Sequence, residues 1–396
     1  MPSSLQPVPL LDFSREYQAH REEFLTALTE VADAQQFILG PAVESFEAQA
    51  AAALDAEYAI GCASGTDALW LGLAALEIGD SHTSSHQAPQ QAVLTTPFTF
   101  FATASSILRA GALPVFADID PLTFNLSPDA AAAAIERHHD RGGVPVTALL
   151  PVHLYGQCAD MDALGTLAAQ HGLAVLEDAA QAFGARWNGM AAGALGDAAA
   201  FSFYPTKNLA AMGEAGLLST QDPELAERAR MLRAHGMRRR YFHDEIGWNV
   251  RLDGFQAAIL SVRLRYLDAG NTRRRAIAAR YAEGFQAAGL VGRSTAEGIV
   301  PPFTDPRAEH VFHQYVLRTP QRDALRHFLS EHRIGSEIYY PLPLDQQDSL
   351  ASLGYRAGDF PEAERAAKEV LALPIYPELR DDEVDTVVEA IRRFYA

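Results

Sequence analysis

The sequence predicts an α/β protein: a large domain built on a mostly parallel sheet, followed by a smaller α+β domain. Three observations carry this. At 396 residues the chain exceeds what one hydrophobic core usually organises. Between residues 58 and 202, short apolar runs alternate with helical stretches, the pattern of a parallel sheet covered by helices on both faces. After about residue 250 that alternation stops. The expected division is therefore residues 1–250 and 251–396, with the N-terminal helices also available to the small domain.

Residues 14–34 read as a helix, with Phe24, Leu25, Leu28 and Val31 at helical spacing. Gly40-Pro41 breaks it, and residues 42–54 resume helically. The apolar runs that follow begin at Tyr58, Ala92, Leu113, Ala148, Ala174 and Ala198 and end at Cys62, Thr95, Ala117, Val152, Glu177 and Ser202. Helical stretches are expected near 66–77, 100–110, 128–140 and 160–171. Beyond 250, one long helix over 253–286, with Ala257, Leu260, Leu264 and Leu267 on one side, is the expected hinge. A strand from Phe312 to Leu317, a helix over 320–332, a turn-rich Tyr339-Tyr-Pro-Leu-Pro343 and a final helix over 381–395 complete the reading. The stretch from Ser81 to Gln91 is polar and reads as a surface loop; His82 and His86 have ligand spacing only on a helix, which the surrounding Ser and Pro disfavour, so no metal is expected.

Composition excludes several classes of function. A formal net charge of −18 argues against a broad nucleic-acid footprint. No run of about 18 apolar residues is present to span a membrane, and the start carries no basic or apolar leader. Two cysteines, Cys62 and Cys158, imply no disulfide framework. A cytoplasmic protein is expected.

Of the 32 basic residues only Lys207 and Lys368 are lysines. Lysine, unlike arginine, can lose its proton and attack a carbonyl. Lys368 lies in Glu362-Ala-Glu-Arg-Ala-Ala-Lys-Glu369, a solvated helical stretch; Lys207 follows Phe201-Ser-Phe-Tyr-Pro-Thr, just past an expected strand. Only Lys207 stands where burial would lower its pKa. Asp178, in Leu176-Glu-Asp-Ala-Ala-Gln181, ends another apolar strand, where an acid needs a partner. Cys62-Ala-Ser-Gly-Thr-Asp-Ala68 turns from a strand into a helix whose free N–H groups suit a phosphate, although the same residues also make a good helix cap. Pro97-Phe-Thr-Phe-Phe-Ala-Thr103 places aromatic rings at a further strand end, as core packing or as a platform for a flat ring. Together these pieces describe a pyridoxal phosphate site.

In this order along the chain, the sequence resembles the DegT/DnrJ/StrS family of nucleotide-sugar aminotransferases. The similarity rests on Val8-Pro-Leu-Leu-Asp12, Phe37-Ile-Leu-Gly40, Ser64-Gly-Thr-Asp-Ala-Leu69, Phe116-Ala-Asp-Ile-Asp120, His153-Leu-Tyr-Gly156, Glu177-Asp-Ala-Ala-Gln181, Tyr204-Pro-Thr-Lys-Asn208, Gly247-Trp-Asn-Val-Arg-Leu252 with Gln256-Ala-Ala258, and Tyr340-Pro-Leu-Pro343. The resemblance implies the aspartate aminotransferase fold (fold type I) and pyridoxal 5'-phosphate as cofactor. It implies Lys207 as the lysine that joins the cofactor and shuttles the proton, and Asp178 as partner of the pyridine nitrogen. Gln181 is implied near the ring hydroxyl and Phe100 stacked on the ring. Gly65, Thr66 and Ser202 are implied at the phosphate, with Asp67 in the same cofactor-binding set. Asn249 is implied to reach the phosphate of a second subunit, which makes a homodimer with shared active sites. Gly213-Glu-Ala-Gly216 departs from the family in having Ala215 where many relatives have a third glycine, and the stretch from Ser81 to Gln91 is longer than usual. Arg238-Arg-Arg240 would suit a nucleotide diphosphate, and equally a solvated or interface charge run.

The implied reaction moves an amino group from L-glutamate to a nucleotide-linked keto-sugar. Tyr204-Pro-Thr-Lys207 is similar to enzymes acting at C3 of the sugar, against those acting at C4. A related sugar dehydratase and a regulatory relative without turnover are the other readings; an intact Lys207 and Asp178 weigh against both.

Overall fold

The computed structural model of the chain describes residues 6–79, 89–291 and 298–396. The start of the chain and the greater part of the insertion after Ser81, including His82 and His86, lie outside the described residues.

Helices α1 (Phe13–Ala34) and α2 (Pro41–Ala53) precede the sheet. Then β1 (Tyr58–Cys62), α3 (Gly65–Ala75), β2 (Ala92–Thr95), α4 (Phe101–Arg109), β3 (Leu113–Phe116), α5 (Pro128–Asp140), β4 (Val146–Leu149), α6 (Met161–His171) and β5 (Ala174–Asp178) alternate. A small hairpin, β6 (Arg186–Trp187) and β7 (Met190–Ala191), leads to β8 (Ala198–Ser202) and β9 (Gly216–Thr220). The seven-stranded sheet runs β1-β9-β8-β5-β4-β2-β3. All of it is parallel except β9, which lies antiparallel between β1 and β8. The sequence pattern did not reveal β9, because Gly216-Leu-Leu-Ser-Thr220 is a single short run with no helix before it.

Successive side chains of a strand point to opposite faces, and the packing follows that period. Ala199 and Phe201 of β8, Leu94 of β2 and Val175 of β5 join the cluster under α2, α5 and α6. Ala198 and Ala200, Val93 and Leu176 join the opposite cluster around α3. Both faces are therefore buried, as parallel strands require.

The expected strand from Ala148 to Val152 begins two residues earlier and ends at Leu149. Pro151 has no N–H for the ladder; its carbonyl instead accepts from the Asp178 N–H at 2.8 Å. The single helix expected over 253–286 is two helices, α8 (Gly254–Leu264) and α9 (Leu267–Ala287), after α7 (Pro223–Leu232) and the hairpin of β10 (Met237–Arg239) and β11 (Phe242–His243). The break falls at Arg265 and Tyr266, which α1 holds. Glu23 accepts from the Tyr266 hydroxyl at 2.5 Å and from Arg265 Nη2 at 2.7 Å, and the Tyr266 ring lies 3.9 Å from His20.

After β12 (Ala308–Glu309), the strand expected from Phe312 is β13 (Tyr315–Arg318); Phe312 itself turns the chain with a left-handed φ of 46°. Helix α10 (Arg322–Glu331), α11 (Pro361–Glu369), β14 (Val370–Leu373) and α12 (Asp381–Phe394) complete the chain. β13 pairs antiparallel with β14, and their Tyr315, Leu317, Leu371 and Leu373 form a separate cluster with Ile277, Tyr281 and Phe285 of α9 and Val384 and Val387 of α12. Val8, near the N-terminus, packs into that same cluster and bridges to Ile334.

Candidate active site

The carboxyl ends of β1, β2, β5 and β8 converge on one cavity of about 500 Å³, as expected where parallel strands end. Ser64, Gly65 and Thr66 line it from the turn after β1, and Thr99, Phe100 and Thr103 from the segment after β2. Asp178 and Gln181 come from β5 and its loop, and Ser202, Tyr204, Thr206 and Lys207 from β8 and its loop. Glu214, His313, Gln314, Tyr339 and Tyr340 close the cavity.

The Lys207 loop is held at both ends. The Lys207 N–H donates to the Tyr204 carbonyl at 2.8 Å, Ala211 N–H to Phe203 at 2.7 Å, and the Asn208 amide to Phe183 at 2.7 Å. Burial pushes the Lys207 amine down to about 8, while the nearby charge of Asp178 pulls it back up. Burial pushes the Asp178 carboxyl up. The Thr103 hydroxyl (2.7 Å) and the Ala180 N–H (3.3 Å) donate to it and restrain that rise. The Thr103 hydroxyl gives its one proton to Asp178, so Thr99 Oγ1, 2.9 Å from Thr103 Oγ1, donates to Thr103 in turn.

Glu177 faces the other way and is fully buried. It accepts from the N–H groups of Gly193 (2.9 Å), Leu195 (2.8 Å) and Gly196 (2.8 Å). His153 Nδ1 accepts from the Ala159 N–H at 3.1 Å, so Nε2 carries the proton and donates to Glu177 at 2.9 Å. This network clamps the strand end that carries Asp178.

At the other end of the cavity Ser64 caps α3, accepting from the Asp67 N–H at 3.1 Å. That leaves the first N–H groups of the helix without helical partners. Gly65 is required here, because a Cβ on it would lie 2.5 Å from Ser202 Cβ; the serine packs directly on the helix start. Asp67 is not brought to the cavity. Its carboxylate accepts from Ser64 Oγ at 2.8 Å and pairs with Arg109 at 2.5 Å, so it serves the helix start.

Phe100 sits before α4 with 59% of its surface exposed and its ring 6.1 Å from that of Tyr340. Gln181 Oε1 accepts from the Tyr155 N–H at 2.6 Å, and its Nε2 donates to the Tyr340 hydroxyl at 3.1 Å. Asn249 is exposed and does not line the cavity of its own chain; its Oδ1 accepts from Arg251 Nε at 3.0 Å. Arg238 to Arg240 lie on or beside the β10–β11 hairpin, with Arg239 3.6 Å from the Phe242 ring, away from the cavity lining.

Nothing in the local sequence singles out His313 or Gln314. They reach the cavity from the segment before β13, and no local spacing marks them. Tyr340 opens the Tyr340-Pro-Leu-Pro343 motif, which by itself gives it no role.

These residues fit pyridoxal phosphate. Free N–H groups and two hydroxyls stand at one end, a carboxylate with upward-shifted pKa lies deep, an uncovered aromatic face borders the cavity, and a lysine with downward-shifted pKa lines it. The model of the DegT/DnrJ/EryC1/StrS aminotransferase family matches residues 18–392. The chain is 47% identical over 388 residues to a pleiotropic regulatory protein of Geobacillus stearothermophilus, covering 98% of each. It is 41% identical to a UDP-N-acetyl-3-dehydro-alpha-D-glucosamine 3-aminotransferase of Acidithiobacillus ferrooxidans, over 98% of this chain and 97% of that one. Among solved structures, S. venezuelae DesV in complex with a ketimine intermediate superposes with a TM-score of 0.90 at 41% identity, covering 98% of both chains.

Proposed function

Because this chain belongs to the DegT/DnrJ/EryC1/StrS aminotransferase family and shares its pyridoxal phosphate-dependent fold, fold type I, we propose that it moves an amino group from L-glutamate to C3 of a nucleotide-linked keto-sugar. The observation that carries this reading is the pairing of Lys207 and Asp178 in one cavity, with their pKa values displaced in opposite directions. The C3 position is supported by Tyr204 before Lys207 and by the 3-aminotransferase name of the Acidithiobacillus ferrooxidans relative.

Pyridoxal phosphate, when bound, supplies an electrophilic carbon and a ring that accepts electrons from the substrate carbon. The protein does the rest. The N–H groups at Gly65 and Thr66 and the Ser202 hydroxyl bind the phosphate, aided by the positive end of α3. Asp178, held by Thr103, keeps a proton on the pyridine nitrogen. Phe100 and Gln181, both in the cavity wall, would hold the ring and its hydroxyl. Lys207 Nζ, with a substantial neutral fraction near pH 8, would serve as the base that takes and returns the substrate's proton. The same base serves the reverse sequence on the keto-sugar.

Asn249, exposed on this chain, completes the phosphate site of a second copy, so the active unit is a homodimer. The regulatory name of the Geobacillus relative favours a second reading, binding without turnover. The deprotonation-ready Lys207 supports the catalytic one. Exposure of the loaded protein to L-glutamate, followed by cofactor absorbance and 2-oxoglutarate release, separates the two.

A further inference from the structure

Three arginines are buried among the described residues, and two of them face carboxylates: Arg233 pairs with Glu47 and Arg322 with Asp323. Arg274 of α9, 4% exposed, has no carboxylate within ion-pair distance among the described residues. Its Nη1 donates to the carbonyls of Ile375 (2.9 Å), Phe312 (3.2 Å) and His313 (3.4 Å). Its Nε and Nη2 make no hydrogen bond among the described residues. A buried guanidinium without a counterion is costly, and burial does push Arg274 down to about 10, with Glu378 and Glu16 too weakly placed to offset it.

Arg274 lines a small cavity of about 100 Å³ together with Leu10, Thr206, His313 and Gln314. Thr206, His313, Gln314 and Tyr339 also line the Lys207 cavity, so the two spaces share a wall next to the reactive amine. His313 is 6% exposed, and its Nδ1 has no partner among the described residues. Burial, with Lys207 and Arg274 beside it, holds its pKa well below the usual histidine range, so the ring is neutral and free to donate a hydrogen bond to an anion.

We propose that Arg274, with His313 beside it, binds a carboxylate of the amino donor and so selects an anionic amino acid for the first half of the reaction. The proposal rests on the aminotransferase reading. It gives that reading a donor-recognition residue on α9, a helix far in sequence from the Lys207 loop.

The test uses the full chain loaded with pyridoxal phosphate and glutarate, a dicarboxylate that carries no amine to transfer. Calorimetry should show saturable binding to the wild type. Arg274→Gln should weaken glutarate by at least about tenfold, the loss of a charge-assisted pair, with Arg274→Lys retaining part of it. Arg274→Gln also strips three carbonyls of their donor, so a second variant leaves those bonds in place. Leu10→Asp sets a tethered carboxylate in the same cavity and should raise the KM for glutamate about tenfold with little change in kcat, as competition from an internal anion predicts. The keto-sugar half-reaction should be unaltered in Leu10→Asp. If Arg274→Gln weakens both glutamate and alanine, the α-carboxylate is the one held; if glutamate alone, the side-chain carboxylate. Both variants folded, loaded and unchanged toward glutarate and glutamate would overturn the proposal while leaving the aminotransferase reading standing. A wild type whose absorbance answers to no amino acid would overturn both.

Discussion

Thr103 Oγ1 donates to Asp178 Oδ2 at 2.7 Å, joining the first turn of α4 to the end of β5. This bond faces a carboxylate that burial pushes toward its protonated form, and it is the largest influence in the other direction. Thr103→Val should therefore raise the Asp178 pKa further and weaken pyridoxal phosphate binding about tenfold, the loss of one buried bond to a charged group. The sign of the stability effect follows from linkage. A carboxyl whose folded pKa lies above 3.8 binds more protons folded than unfolded, so its stabilising contribution falls as pH rises through that window. The melting deficit of cofactor-free Thr103→Val should thus be small near pH 4 and larger at pH 8; an equal deficit at both would contradict the bond's role.

Lys207 is drawn down to about 8 from 10.5. About a tenth of the amine is then neutral at pH 7, far above the fraction for a solvated lysine. The rate at which cofactor-free protein takes up pyridoxal phosphate should rise with pH, reach half its maximum near 8 and level off above about 9. Asp178 raises the lysine's pKa, so Asp178→Asn should move the profile to lower pH. A rate still climbing at pH 10 in the wild type would show that the amine is not shielded.

Gly65→Ala puts a methyl 2.5 Å from Ser202 Cβ and 3.0 Å from the Ser202 hydroxyl. The start of α3 or the end of β8 must shift, at a cost of about 1–3 kcal/mol. Cofactor affinity should fall more than melting temperature, since both displaced groups line the phosphate end. Equilibrium dialysis of the loaded protein measures the first and calorimetric unfolding the second; unchanged affinity would move the phosphate elsewhere.

Asn249 is exposed and outside its own chain's cavity. If it serves a second copy, Lys207→Ala and Asn249→Ala proteins, each inactive alone, should recover activity when mixed, because one site of the mixed dimer then holds both residues. Proven subunit exchange without recovery would remove Asn249 from the active site.

The legible part of the molecule was local. A strand followed by a polar turn can be read from a dozen residues: Asp178 and Ser202 end such strands, Lys207 lies in the turn after one, and Gly65 and Thr66 open the helix after another. Asp67 stands in the same first turn of α3, yet helix geometry turns its carboxylate to Ser64 and Arg109, a direction that spacing alone does not reveal. β9 and the break at Arg265 and Tyr266 escaped because each depends on a distant partner, β1 and β8 in one case and Glu23 of α1 in the other. His313 and Arg274 escaped for the same reason: α9 and the segment before β13 reach the Lys207 loop only through packing.

Amino-group transfer through Lys207 can be read from one half-reaction. The most direct measurement mixes the loaded protein with L-glutamate in the absence of a sugar and follows cofactor absorbance and 2-oxoglutarate in a single turnover. The wild type should lose the pyridoxal band with about one keto acid formed per site, and Lys207→Ala should show no such change. An unaltered spectrum with glutamate and with every other amino acid, or full conversion by Lys207→Ala, would contradict transfer through Lys207.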